Sequence, residues 1–116
     1  VYYPFDSDNP DYAIAKKQMR LGAGVISFEI DGTKKDAQAF LNELSFVKIA
    51  VSLGEAELII QHPATMAHAV VPPEERKKMG ISDTLIRMSC GLEAWEDIWE
   101  DINQSLNKLA GAKVNI

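Results

Sequence analysis

A short apolar run, Leu85-Ile86-Arg87-Met88-Ser89-Cys90, carries an arginine at its middle, and that residue constrains the chain more than any other. Turn-forming residues bound the run, Gly80 and Asp83 before it and Gly91 after it, so it reads as a strand. Side chains alternate between the two faces of a strand. Ile86, Met88 and Cys90 therefore share one face, and Leu85, Arg87 and Ser89 share the other. The first face suits a core, where Cys90 is expected as a packing thiol. A nucleophilic role would need exposure and a neighbouring base, and the sequence supplies neither. On the second face, a guanidinium keeps its charge at any working pH and is seldom buried unpaired. An anion is expected to meet Arg87. Glu29 or Asp83 could supply it locally, and a bound carboxylate could supply it from outside.

The rest of the chain supplies elements to pack around that strand. Asn9-Pro10 suits a helix start running to about Arg20, with Asn9 as the cap. Val25 to Ile30 alternates as a strand with Ile26, Phe28 and Ile30 on one face, and Asp31-Gly32 ends it. Thr33 then caps a helix, with Asp36 placed for an approximate capping box. Ala37, Phe40, Leu41 and Leu44 form its buried stripe. Further strands are expected at Lys48 to Val51 and Leu58 to Gln61, the latter stopped by Pro63. Residues 64–71 are ambiguous, and Pro72 to Lys78 forms a short helix that Gly80 ends. A last helix spans Leu92 to Leu109, with Ala94, Trp95, Ile98, Trp99, Ile102, Leu106 and Leu109 on one stripe. Trp95 and Trp99 are expected as core anchors, and the acidic residues of this helix as a solvated face. The sum is a single α+β domain over residues 1–116, a mainly antiparallel four-stranded sheet with helices on one face.

The chain's totals narrow the functional classes. With 116 residues it can build one core. A net charge of −5 argues against a nucleic-acid surface. No apolar run approaches the ~20 residues of a membrane span. A lone Cys90 forms no internal disulfide and fits a cytoplasmic setting. His62 and His68, without a clear third ligand, do not define a metal site.

The stretch from Ser52 to Glu93 resembles the C-terminal part of the Cys/Met-metabolism family of pyridoxal-phosphate (PLP) enzymes. That family includes the methionine gamma-lyases, the cystathionine lyases and synthases, and O-acetylhomoserine sulfhydrylase. The residues that carry the resemblance are Ser52-Leu53-Gly54, His62-Pro63-Ala64, Met66, His68, Pro73-Glu74-Glu75-Arg76, Gly80-Ile81-Ser82-Asp83, Leu85-Ile86-Arg87, Ser89 and Gly91-Leu92-Glu93. It extends upstream through Tyr3-Pro4, Pro10, Ala15, Gln18-Met19 and the Gly22-Ala23-Gly24 turn. Tyr12 and Ala67 depart from it, where the family usually has His and Thr.

The resemblance implies the small C-terminal domain of a fold-type I PLP enzyme, nearest to the methionine gamma-lyases. It implies an amino-acid substrate, L-methionine or a relative, whose α-carboxylate meets Arg87 beside Ser52 and Leu53 of the turn. It also implies a large PLP-binding domain as partner and a cytoplasmic homo-oligomer, a homotetramer. The family's Ser-Xaa-Thr-Lys motif, whose lysine holds PLP, does not occur here. No residue of this chain is therefore expected to be catalytic or to bind the cofactor, and the chain alone is expected to be inactive. Val1 in place of an initiator Met reads as the start of an excised fragment.

A second reading belongs to another class. From Val25 to Cys90 the order strand, helix, strand, strand, helix, strand is also ferredoxin-like. Arg87 could then bind an effector carboxylate in a small regulatory module without catalysis.

Overall fold

Helix α1 spans Tyr12–Gln18, strand β1 Val25–Glu29, helix α2 Lys34–Asn42, strand β2 Lys48–Ile49 and strand β3 Ile59–Gln61. A 3-10 turn at Pro63–Thr65, helix α3 at Pro73–Lys78, strand β4 at Leu85–Ser89 and helix α4 at Trp95–Val114 complete the order. These elements come from a computed structural model, which describes residues 1–114, with side chains through residue 111.

The strands lie in the order β1-β4-β3-β2. β4 runs antiparallel to both β1 and β3, while β2 runs parallel to β3. The sheet is therefore mixed, with its antiparallel pairs on either side of the arginine strand. This arrangement excludes the ferredoxin-like alternative. In that fold the last strand returns parallel to the third across an intervening strand. Here β3 and β4 are hydrogen-bonded neighbours of opposite direction.

The inner face is built by the alternation read from sequence. Ile30, Leu58, Ile60, Ile86 and Met88 are buried, and Ile26 and Phe28 pack against them. α2 supplies Ala37, Phe40 and Leu41, and Phe28 meets the Phe40 ring edge-on at 5.9 Å. The capping box that starts α2 is complete. Thr33 N–H donates to Asp36 Oδ2 at 2.6 Å, and Asp36 N–H donates to Thr33 Oγ1 at 3.4 Å.

α4 holds the far end of α2 through polar contacts. Ser105 Oγ donates to the Phe40 carbonyl at 2.6 Å, and Gln104 Nε2 donates to the Glu43 carbonyl at 2.7 Å. These satisfy carbonyls that a helix end leaves without partners. Asp101 is buried and accepts from the backbone N–H groups of Ser45, Phe46 and Val47 at 2.9–3.2 Å. Burial, the largest single influence, opposes its ionisation. The bonds from Ser45, Val47 and Phe46 together outweigh burial and hold its pKa below the usual value. Asp101 is thus no part of a solvated face, in contrast to the expectation from charge pattern.

Two further expectations are corrected on the same helix. Trp95 and Trp99 are 69% and 55% exposed, so they do not anchor the core. Ile102 is the buried contact, with Ile98, Leu106 and Leu109 beside it. The tryptophans instead border a groove of about 750 Å³ between α4 and the inner face of β1 and β4. Cys90 lines the same groove on the inner side and is exposed, so it is not the buried packing thiol expected from strand parity.

The remaining differences lie at element ends. α1 begins after Asp11, while Asn9 Oδ1 accepts from Asp11 N–H at 2.9 Å and so shapes the preceding turn. β2 stops at Ile49, short of Val51. α4 starts at Trp95 because Glu93 turns back to accept from Leu58 N–H at 2.6 Å. Among the described residues no helix is long and apolar enough to cross a membrane.

Candidate functional site

The outer face of the sheet centres on Arg87. Its register partners are Ser27 on β1 and Gln61 on β3. Directly opposed residues on one face of an antiparallel pair sit about 4.5–5.5 Å apart at Cβ, so the sheet itself brings these three together. Arg87 is half-buried.

The turn after β2 closes the site on a second side. Ala50 N–H donates to the Ile60 carbonyl at 3.1 Å, keeping the chain beside β3 as it leaves the strand. Gly54 then adopts φ 76°, in the left-handed region that favours glycine. Its N–H donates to Ser89 Oγ at 2.9 Å, tying the turn to β4. Ser89 is consequently buried although it shares the outer face with Arg87. The Ser52 carbonyl accepts from Arg87 Nη2 at 2.8 Å. The Ser52 hydroxyl, by contrast, bonds Glu55 Oε1 at 3.2 Å. Ser52 therefore meets Arg87 through its backbone, and Leu53 stands exposed next to it.

Gln61 is the residue that sequence reading missed. It is 1% exposed, fully covered beside Arg87. With its amide oxygen toward the guanidinium, that oxygen is 2.5 Å from Nη2, 2.9 Å from Nε and 3.0 Å from Nη1. The opposite orientation would set N–H groups against N–H groups. A legible signal existed, since Gln61 falls on the outer parity of a strand pairing with β4, but the register was not readable from sequence.

Neither local acid reaches Arg87. Glu29 accepts from the Ser82 hydroxyl at 2.6 Å, and Asp83 pairs with Arg76 at 3.0 Å. Among the described residues no carboxylate forms an ion pair with Arg87. Its neighbours among the described residues, the Ser52 carbonyl and the Gln61 amide, are neutral.

The other residues singled out serve the scaffold. His62 is fully buried, with Nδ1 2.8 Å from Thr65 Oγ1 and Nε2 2.8 Å from the Asp83 carbonyl. It fixes the loop that enters β4. His68 lies apart with its Nδ1 buried and unpaired, and no metal-holding group occurs among the described residues. Desolvation first, and then the charge of Glu93, push the Cys90 thiol upward in pKa, which disfavours the thiolate.

The described residues do not fit PLP itself. Holding it needs a lysine beside the substrate site. Lys48, Lys77 and Lys108 are instead paired with Glu57, Glu74 and Glu43 at the surface. Lys16, Lys17, Lys34, Lys35 and Lys78 are exposed, and Lys113 lies outside the residues whose side chains are described. A guanidinium can pair with both oxygens of a carboxylate in one plane.

Comparison with known proteins bears on this geometry directly. Residues 1–107 match the family described as Cys/Met metabolism PLP-dependent enzyme. The L-methionine gamma-lyase of Fusobacterium nucleatum subsp. nucleatum is 48% identical over 109 residues, 94% of this chain and 28% of the relative. A cystathionine beta-lyase of Lactococcus lactis subsp. cremoris is 46% identical over 110 residues, 93% of this chain and 28% of the relative. Among solved structures, cystathionine gamma-lyase from Lactobacillus plantarum complexed with L-serine superposes with a TM-score of 0.85 at 41% identity. It covers 94% of this chain and 28% of that one. Cystathionine gamma synthase from Xanthomonas oryzae pv. oryzae, in complex with cystathionine, gives a TM-score of 0.87 at 36% identity, over 95% of this chain and 28% of that one. The chain spans a little over a quarter of the length of these relatives, and it belongs to the Cys/Met metabolism family of PLP-dependent enzymes.

Proposed function

We propose that this chain is the C-terminal, substrate-carboxylate-binding part of a PLP-dependent carbon–sulfur lyase acting on L-methionine or a related sulfur amino acid. The observation that carries the reading is Arg87, a half-buried guanidinium that pairs with no carboxylate among the described residues and is held against the Ser52-Leu53-Gly54 turn. Relatives named as methionine gamma-lyases and cystathionine lyases support the substrate class. In this reading Arg87 pairs with the α-carboxylate. The Ser52 carbonyl fixes the guanidinium, and Leu53 supplies an apolar wall. Anchoring the carboxylate orients the bond that reacts at the α-carbon. Such positioning accounts for part of the ~7–11 kcal/mol available to proximity. The large PLP-binding domain and a homo-oligomeric, cytoplasmic enzyme complete the proposal.

In the full-length enzyme, Arg87→Ala raises KM or abolishes turnover while the cofactor's absorbance stays normal. Arg87→Lys restores only part, since lysine cannot pair with both oxygens in one plane. Wild-type kinetics in Arg87→Ala would remove Arg87 from the site. The 116-residue chain alone is expected to show neither PLP absorbance nor lyase activity. One stoichiometrically reduced PLP-lysine together with methionine turnover would overturn that part.

A further inference from the structure

We infer that Gln61 is the positioning residue for Arg87: its buried neutral amide holds the guanidinium without neutralising it and so leaves the positive charge for a bound carboxylate. This rests on Arg87 being the carboxylate anchor. Three observations carry it. The register of β3 on β4 sets Gln61 directly across from Arg87. Gln61 is 1% exposed, so its amide answers to the cation and not to water. With the amide oxygen turned toward Arg87, it lies within 2.5–3.0 Å of all three guanidinium nitrogens.

The choice of an amide has a chemical consequence. A buried polar group needs a partner, and the Gln61 oxygen finds one in the positive guanidinium. A carboxylate in the same place would hold Arg87 at least as firmly but would neutralise it. The anion that arrives from outside would then meet a pair with no net charge. An apolar residue would leave the charge intact and the guanidinium plane unsupported. Ser52 fixes only one nitrogen through its carbonyl, and the Gln61 amide supplies the contacts to the others.

The test uses the full-length enzyme and L-norleucine, an amino acid without a leaving group, with Kd from titration calorimetry and Tm measured alongside. Gln61→Glu is expected to weaken binding by about tenfold or more, as neutralising a binding charge does, without lowering Tm. Gln61→Met is expected to weaken binding less and to lower kcat, because the carboxylate still finds a charge but not a fixed plane. A Kd indistinguishable from wild type in Gln61→Glu overturns the inference. If that variant does not fold, an unchanged Kd and kcat in Gln61→Met overturns it instead. Arg87→Ala separates the two levels. If it binds L-norleucine like wild type, the carboxylate-anchor reading fails. If it loses binding while the Gln61 variants do not, the anchor stands and Gln61 has no part in it.

Discussion

Arg76 and Arg87 are both drawn into this fold, and they differ in what answers their charge. Arg76, on α3, is 4% exposed; it donates to the Val71 carbonyl at 2.7 Å and pairs with Asp83 at 3.0 Å. Its charge is spent on closing the loop between α3 and β4. Arg87, on β4, meets a backbone carbonyl and an amide, both neutral. Folding places it without discharging it. In the proposed reading a strand arginine and a helix arginine of equal intrinsic chemistry divide into a ligand-facing role and a scaffold role, according to whether a neighbouring carboxylate answers the charge.

The largest effect that tests this division is on function. Arg87→Ala in the full-length enzyme is expected to cost about 2–5 kcal/mol in kcat/KM, with Tm nearly unchanged. Arg76→Ala is expected to do the reverse. Leaving the Val71 carbonyl unpaired should lower unfolding free energy by about 1–3 kcal/mol, while folded enzyme keeps its affinity for substrate. If both substitutions lower Tm alike and neither changes affinity, the division collapses.

Asp101 extends the comparison to an acid, a charge fully used by the fold. Its pKa is lowered in the folded chain, so its contribution is present above the unfolded value of about 3.9. That contribution is lost as pH falls through the lower folded value. Denaturation curves should show stability declining in that acid window, and Asp101→Asn should flatten the decline while costing about 1–2 kcal/mol near neutrality. An acid slope unchanged by the substitution would contradict the assignment. The smallest effect is expected at Ser52. Its carbonyl, not its hydroxyl, reaches Arg87, so Ser52→Ala should change kcat/KM by under about 1 kcal/mol. A loss approaching that of Arg87→Ala would shift the site toward the hydroxyl.

Much of this was legible in the chain because periodicity reports faces. The alternation of Leu85 to Ser89 placed Arg87 on the outer face, and the Thr33–Asp36 capping box and the α2 stripe appeared as read. What sequence withheld was long-range. Nothing local says that β2 lies parallel to β3, or that Gln61 lies opposite Arg87. Asp101 looked like one more acid on a helix rich in them, since its partners are backbone N–H groups more than fifty residues away. Trp95 and Trp99 looked like core because an apolar stripe says which face is apolar, not how far the chain's own packing reaches along it. The Ser52-Leu53-Gly54 turn was found through resemblance. Its use of a carbonyl in place of a hydroxyl needed coordinates.

The central claim is that Arg87 meets the carboxylate of a bound amino acid. A double-mutant cycle addresses it directly, with Kd measured for L-norleucine and for L-norleucinamide on wild-type and Arg87→Ala full-length enzyme. The cycle removes the guanidinium on one side and the carboxylate charge on the other. The account predicts a coupling of about 1.5 kcal/mol or more, so that replacing the carboxylate weakens wild type far more than the variant. Additive losses, with the carboxylate and the carboxamide distinguished equally well without the guanidinium, would contradict it.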